Sequence, residues 1–381
     1  MPRRRGVFAG NVIWTTVLAL GALLAPLVIA LSRDNSQLSL RILREQEVPS
    51  SPSPALNLRF ASDETVYLSR LHDGVTEVSL DATLTARRQP IPDRDTLHMR
   101  FPMMERLAVS PQFFAVASLM ADYGFQPRTP AADGTFRFTR LHVWSVASLD
   151  LFGDRLLLLG DPTPRALAGW RESKGGIAWI GPLSSHPERD LKPFLYDVPG
   201  APPLSLLRCM SLELGAVRFL PDGSYVVVPG VKDGIYLYSK TGTLLRTWKN
   251  QALGLDAPDC AGMDQKQEDE FNGSYSARFE FLNRHRVVEE ILPLAEGPGL
   301  LVRSVVAGKV RWTLTILHGD QVTSYPVPIT GNLPYDRLRA DVRGGRLAFL
   351  RTWHGFGPAA VFRPGHLYLA EFATAAAGLA P

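Results

Sequence analysis

The sequence predicts an all-β protein, a β-propeller of about six four-stranded blades that follows one N-terminal transmembrane helix. Short alternating or β-branched segments recur between turn signals along most of the chain. The 32 Gly and 30 Pro among 381 residues supply the tight turns that such strands need. No window beyond the N-terminus predicts an amphipathic helix of three turns, so the alternating strands and helices of α/β folds are not expected.

The N-terminus carries the transmembrane prediction. Residues 12–31 are uncharged and apolar, and Arg3, Arg4 and Arg5 precede them. Twenty helical residues rise about 30 Å, which matches the hydrocarbon core of a bilayer. Because basic residues favour the cytoplasmic side, residues 1–11 are predicted to be cytoplasmic and the main domain to lie outside the cytoplasm. This arrangement predicts a bacterial inner-membrane protein with a periplasmic domain, for which the membrane is a partner through the helix.

A cleaved signal peptide is the alternative for the same segment. The small-residue sequence Val28-Ile29-Ala30 could end it. The apolar run is longer than the roughly 7–15 residues of a usual signal-peptide core, which favours an uncleaved anchor. Both interpretations place the main domain outside the cytoplasm.

The rest of the chain is divided by composition. Residues 32–56 are predicted to be a stalk, since Ser50-Ser51-Pro52-Ser53-Pro54 has no apolar periodicity. Within the stalk, a short helix at the membrane surface is expected at Leu38–Val48. Residues 57–372 are predicted to form the propeller, and residues 373–381 a flexible tail.

The charge balance argues against a nucleic-acid partner. The formal net charge is +4, and without the three N-terminal arginines 38 basic residues face 37 acidic ones. The folded part is therefore almost neutral and shows no long basic face.

One unit, residues 215–249, shows the blade pattern clearly. Strand-like segments alternate with turns at Pro221-Asp222-Gly223, at Asp233-Gly234 and at Thr241-Gly242. Four strands in about 35 residues have the size of one propeller blade.

Five further units repeat this pattern less regularly. They are 57–91, 104–163, 176–198, 287–327 and 338–372. In the last of them, strands are expected at Leu338–Val342, Arg346–Leu350, Ala359–Phe362 and His366–Phe372.

The clear unit resembles a blade of the six-bladed NHL/TolB-like propellers. The resemblance lies in Pro221-Asp222-Gly223-Ser224-Tyr225, in Gly234-Ile235-Tyr236-Leu237-Tyr238 and in Thr241-Gly242-Thr243-Leu244-Leu245. It covers one blade well and the others loosely. It implies the architecture, whose families include binding scaffolds, lactonases, lyases and sensors, and it therefore assigns no reaction.

No motif predicts a metal centre, and no cofactor is expected. The nearest two of the eight histidines are 12 positions apart, too far for a local zinc motif. Calcium is the alternative cofactor, because Asn283, Glu289, Glu290 and Asp341 have the residue types that related calcium-dependent lactonases use. No Asp-rich calcium loop occurs. Neighbouring strand residues point to opposite faces, so at most one of Glu289 and Glu290 could face the channel, and a solvent-facing pair at a strand edge is expected.

The two cysteines, Cys209 and Cys260, leave two interpretations open. In an oxidising compartment they could form one disulfide, and otherwise they are separate buried thiols.

The ligand-facing prediction rests on Arg351, Trp353 and His354. Large aromatic residues beside arginine are enriched at binding hot spots. Packing between blades is the alternative.

The sequence therefore predicts a membrane-tethered extracytoplasmic propeller that acts as a binding or scaffold module for a protein, peptide or glycan. A calcium-dependent hydrolase or lyase at the channel is one alternative, and a structural subunit of an envelope complex is another. In the absence of a catalytic motif, the prediction leans against an enzyme.

Overall fold

The computed structural model describes fifteen stretches of the chain. These are residues 38–50, 54–70, 74–81, 86–88, 105–118, 123–135, 137–141, 144–162, 176–196, 215–230, 233–256, 280, 283–332, 336–353 and 363–374. Two compact units are present: Leu40–Phe372 holds the sheets, and Met1–Ser39 with Ala373–Pro381 form the other.

Six antiparallel four-stranded sheets make a six-bladed β-propeller, which confirms the predicted fold. Blade 1 contains β2 (Ala55–Phe60), β3 (Thr65–Arg70), β4 (Val75–Ser79) and β5 (Ala86–Arg88). Blade 2 contains β6 (Arg106–Val109), β7 (Phe113–Ala117), β8 (Tyr123–Pro127) and β9 (Thr139–Leu141). Blade 3 contains β10 (Trp144–Phe152), β11 (Arg155–Pro162), β12 (Gly176–Pro182) and β13 (Lys192–Tyr196).

The second half follows the same order. Blade 4 contains β14 (Ala216–Phe219), β15 (Tyr225–Val228), β16 (Ile235–Tyr238) and β17 (Leu244–Trp248). Blade 5 contains β18 (Val287–Leu294), β19 (Gly297–Val306), β20 (Lys309–His318) and β21 (Gln321–Gly331). Blade 6 contains β22 (Asp336–Arg343), β23 (Arg346–Trp353), β24 (Gly365–Thr374) and, at its outer edge, β1 (Leu38–Val48).

Helical structure is minor in the described residues. A four-residue helix, α1 (Pro187–Asp190), precedes β13, and a 3-10 turn, Gln251–Leu253, follows β17. Nowhere in the described stretches is a helix long and apolar enough to cross a bilayer. The predicted span at 12–31 lies outside those stretches.

The turn that revealed the clear blade has a simple local cause. The carboxylate Oδ1 of Asp222 accepts the backbone N–H of Ser224 at 3.0 Å, and Gly223 adopts φ +83° between them. Such a side-chain-to-backbone bond stabilises a turn, and glycine takes the left-handed backbone without a Cβ penalty. This local chemistry explains why blade 4 could be identified from sequence.

One strand of each blade lies innermost. β2, β6, β10, β14, β18 and β22 contact one another in a closed circle. Six apolar clusters join the blades, one at each of the six interfaces. The hydrophobic core is therefore a ring of inter-blade contacts, as propeller geometry requires.

Blade 6 differs from the prediction at its outer strand. The segment predicted as a stalk with a short helix, Leu38–Val48, is β1, which pairs with β24. Leu40 packs in the cluster between blades 5 and 6, and Val48 in the cluster between blades 6 and 1. The first described strand and the last thus share one sheet and close the ring. The strand expected at Ala359–Phe362 lies outside the described residues.

Two other boundaries are corrected. The predicted second unit, 104–163, ends at Leu141, because Arg155–Pro162 pairs with β10 in blade 3. The propeller also begins before residue 57, since Ala55 opens β2. Both errors arise because local periodicity indicates where strands lie and does not show where one sheet ends and the next begins.

Candidate functional site

Charged side chains from the innermost strands converge on the propeller axis. Among these buried side chains, three arginines and three carboxylates are joined by ion pairs and are here called the axial network: Arg59, Asp150, Arg218, Glu290, Arg339 and Asp341. Their positive and negative charges are equal in number.

The ion pairs of this network cross the axis. Arg59 of blade 1 contacts Glu290 of blade 5 at 3.1 Å, and Arg339 of blade 6 contacts the same carboxylate at 3.2 Å. Arg218 of blade 4 pairs with Asp341 of blade 6 and lies 3.6 Å from Asp150. Because blades 1 and 5, and blades 4 and 6, are not neighbours, these contacts occur only at the centre of the ring.

The axial carboxylates also accept backbone hydrogen bonds. Asp341 accepts the N–H of Phe60 at 2.8 Å, and Asp150 accepts the N–H of Phe219 at 2.8 Å. An innermost strand has one unpaired edge, whose buried N–H groups need acceptors. These side chains supply the acceptors and link neighbouring blades by hydrogen bonds.

Glu289 belongs to a second buried group beside the axis. Its carboxylate accepts hydrogen bonds from Arg337, from Trp312 Nε1 at 2.8 Å and from the N–H of Leu338 at 3.0 Å. Arg303 lies 3.6 Å from the same carboxylate.

The expectation that Glu289 and Glu290 form a solvent-facing pair is wrong. The two residues are 2% and 4% exposed. The register of β18 shifts between Val288 and Glu290, so Glu289 is the extra residue of a β-bulge. A bulge breaks the alternation of faces, which allows two consecutive side chains to be buried.

Two pKa shifts describe the electrostatics of the axis. Burial opposes ionisation of Glu290, but Arg59 and Arg339 outweigh it and lower the pKa of this carboxyl below its usual value. Burial and then the neighbouring Arg337 lower the pKa of Arg339 to about 10. Both groups are therefore charged at neutral pH.

The axis does not fit the calcium alternative. Glu289, Glu290 and Asp341 accept hydrogen bonds from arginine, and the Oδ1 of Asn283 accepts one from Arg303 at 2.7 Å. Calcium prefers six to eight oxygen ligands, and adjacent guanidinium groups repel a cation. The described residues also contain no cluster of three His, Cys, Asp or Glu side chains arranged to hold a metal ion. The remaining axial cavity, lined partly by Arg59 and Arg339, measures about 10 Å³, room for about one water.

A larger opening lies at one end of blade 6. This cleft of about 210 Å³, here called the blade 6 cleft, is lined by Glu47, Asn332, Asp336, Arg351, Thr352, Trp353, Arg363, Pro364 and His366. Strand pairing assembles it, because Asp336 lies opposite Trp353 and Arg351 lies opposite His366. Arg351 and Trp353 are two positions apart on β23, so they lie on the same face of the strand.

The cleft holds two arginines in different environments. Arg363 is exposed, and its guanidinium carbon lies 5.6 Å from the centre of the Trp353 ring. Arg351 is half-buried and donates from Nη1 to the carbonyl of Thr330 at 2.9 Å. Arginine stacked on indole is held in place while its N–H groups remain free to donate.

The acidic groups of the cleft are arranged differently. Asp336 is buried and accepts the N–H of Asn332 at 2.8 Å, and burial raises the pKa of its carboxyl. Glu47 is exposed on β1. His366 pairs through Nδ1 with Glu45 at 2.9 Å, just outside the lining.

The structure brings together two of the three residues predicted to face a ligand. Arg351 and Trp353 line the cleft, whereas His354 lies outside the described residues, as do Cys209 and Cys260. The role of Arg351, Trp353 and His354 in ligand binding stays a prediction. Glu47 and Arg363 also line the cleft, although the sequence does not predict them as site residues. Glu47 lies in a segment whose composition predicts a stalk, whereas Arg363 lies ten positions after Trp353, and this proximity is a signal that could find it.

Comparisons with known proteins show the fold and no closer relationship. No family model and no curated protein matches the chain. A crystal structure of a DUF4221 family member from Bacteroides vulgatus aligns with a TM-score of 0.51 and 9% identity, covering 90% of this chain and 100% of the other. Virginiamycin B lyase from Staphylococcus aureus aligns with a TM-score of 0.42 and 10% identity, covering 87% and 99% of the two chains. The six sheets of the described residues define the six-bladed β-propeller fold, which by itself is compatible with a binding or scaffold module.

Proposed function

We propose that this protein is a membrane-tethered, extracytoplasmic binding module that captures a protein, peptide or glycan partner in the blade 6 cleft. One contrast carries the proposal. The axis is filled by paired charges around a cavity of about 10 Å³, whereas the cleft offers about 210 Å³ lined by an aromatic side chain and two arginines. A rigid scaffold that presents such a cleft favours recognition.

Catalysis at the axis has less support. The carboxylate oxygen atoms that could bind calcium already accept hydrogen bonds from arginine. The described stretches contain no cluster of three His, Cys, Asp or Glu side chains that could hold a metal ion. The binding module is therefore the function we retain.

The test uses the full chain in lipid nanodiscs, screened against peptide and glycan arrays. We expect a discrete set of ligands whose binding is lost in Trp353→Ala. Leu245→Ala is the matched control, because this apolar side chain is 58% exposed on blade 4, away from the cleft. Ligands bound equally by all three proteins, or no bound ligand, would overturn the proposal.

The tether is tested separately in a bacterial host. Added protease should digest the propeller in spheroplasts, whose outer membrane is open, and not in intact cells, and alkaline carbonate should not extract the chain. A propeller protected by the inner membrane, or one released by carbonate, would contradict the proposed location.

A further inference from the structure

Four arginines in the described part of the chain stack on aromatic rings, and they differ in what their N–H groups reach. The pairs are Arg128 on Tyr67 at 5.5 Å, Arg155 on Phe219 at 5.4 Å, Arg246 on Trp248 at 5.6 Å and Arg363 on Trp353 at 5.6 Å. In each pair the ring restricts the guanidinium and leaves its N–H groups to donate.

Three of these arginines donate to acceptors within the protein. Arg128 donates to the carbonyl of Ala61 at 2.9 Å, and Arg155 to the carbonyl of Lys240 at 3.1 Å. Arg246, stacked on a tryptophan, donates to the carboxylate of Asp320 at 3.1 Å. Arg363 is exposed in the blade 6 cleft, and within the described stretches it donates no hydrogen bond and forms no close ion pair, although its charge acts on Asp336 of the same cleft.

We infer that Arg363, together with Arg351, is the docking point for a carboxylate of an acidic peptide segment on a partner protein. The Arg246–Trp248–Asp320 group shows the occupied form of the same arrangement, with a carboxylate against the stacked guanidinium. A guanidinium fork matches a carboxylate in two parallel hydrogen bonds. The inference rests on the proposed function, since it specifies the ligand of the same cleft.

The geometry favours a peptide over a glycan. A sugar ring is typically held by stacking on an open aromatic face, and here Arg363 covers a face of Trp353. The buried Asp336 already accepts the N–H of Asn332. Two acidic residues of the lining, exposed Glu47 and buried Asp336, would repel an acidic ligand, and Glu47 provides a second test because it is exposed.

The experiment measures anisotropy of a fluorescein-labelled, amidated peptide of alternating Gly and Glu with the full chain in nanodiscs. The same peptide with Gln in place of Glu is the isosteric probe. We expect the Glu peptide to bind at least tenfold more tightly, and Arg363→Gln and Arg351→Gln each to weaken it about tenfold or more. Arg363→Lys should also weaken it, because lysine lacks the fork. Binding should fall as salt rises.

Two further variants sharpen the result. Glu47→Gln should tighten binding of the Glu peptide about two- to fivefold by removing a like charge. Arg246→Gln is the matched control: it loses a guanidinium stacked on tryptophan in another blade and should leave peptide affinity unchanged. Equal melting temperatures of the Arg363 variants and the wild type would show that lost binding is not lost folding.

The outcomes separate this inference from the proposed function. If array ligands bind in a Trp353-dependent way but the Glu and Gln peptides bind alike, the carboxylate inference is overturned and the binding module stands. If oligogalacturonate competes for Arg363 and no acidic peptide binds, the partner is a glycan and the peptide assignment is wrong. If nothing binds the cleft, both proposals fail.

Discussion

Arg59 and Glu290 lie 231 positions apart in the sequence, yet their side chains meet at 3.1 Å on the propeller axis. They come from blades 1 and 5, with blade 6 between them. Both are almost fully buried, so the pair is shielded from water. The contact exists only when the ring is closed, and it makes the axis a sensitive reporter of the native fold.

Removing one charge of this pair should be costly. Glu290→Gln leaves the buried Arg59 and Arg339 without a shared counter-charge, and we expect a loss of about 3–5 kcal/mol in unfolding free energy. Urea unfolding of the chain in mild detergent measures it. Asp63→Asn, which removes an exposed partner of Arg343, is the control and should cost at most about 1 kcal/mol. Equal losses of unfolding free energy in the two variants would show that the buried axial pair contributes no more to stability than an exposed ion pair.

The stability difference between the wild type and Glu290→Gln should depend on pH. The pKa of Glu290 is lowered in the folded protein, so its stabilisation is fully present above the unfolded carboxyl pKa of about 4.3. It is lost as the pH falls from the unfolded pKa through the lower folded pKa, because in this range the unfolded chain takes up a proton that the native carboxylate does not, and below it both states are protonated. Urea titrations between pH 7 and pH 3 should show the gap narrowing in the acidic range. A gap that widens on acidification would mean that the folded-state pKa is raised instead.

The closing strand β1 offers a matched pair of leucines. Leu40 is 7% exposed and packs in the cluster between blades 5 and 6, whereas Leu43 is 46% exposed. Leu40→Ala should lower the unfolding free energy by about 2–5 kcal/mol. Leu43→Ala should change it by less than about 0.5 kcal/mol. If neither variant changes the unfolding free energy, the segment Leu38–Val48 is a linker and not a packed strand.

Gly215 tests the backbone at the start of β14. It has φ +102°, and a Cβ there would lie 2.7 Å from the carbonyl oxygen of Val228. Gly344 also has positive φ, at +57°, but a Cβ would meet open space. Gly344→Ala should cost about 1–2 kcal/mol for the left-handed backbone alone, and Gly215→Ala clearly more because of the added clash. Chemical denaturation of the two variants in parallel measures the difference, and similar losses would argue against a close contact at Gly215.

Much of the fold could be predicted because blade structure is local. The Asp222 turn and the strands of blade 4 are coded within a few residues of one another, and the structure reproduces them. The boundary between blades 2 and 3 and the role of Leu38–Val48 could not be predicted in this way. Local periodicity does not show that β10 starts a new sheet by pairing with β11, and β1 finds its partner more than 300 residues away.

The candidate site shows the same division. Arg351 and Trp353 were identified because an aromatic residue and an arginine lie two positions apart on one strand. Arg363, which precedes β24, and Glu47, which lies on β1, line the same cleft. Neither lies on β23, so a local strand pattern does not connect them with Arg351 and Trp353. Glu289 was assigned to solvent because strict alternation was assumed, and a single bulged residue reversed that outcome.

By itself, the sequence determined the all-β class, the blade rhythm and the apolar N-terminal segment, since each depends on composition and periodicity over short windows. Only the tertiary structure decided the strand that closes the ring and the pairing of charges on the axis. Those features need residues hundreds of positions apart to meet in a low-dielectric centre, where an arginine is stable only if a particular carboxylate arrives from another blade.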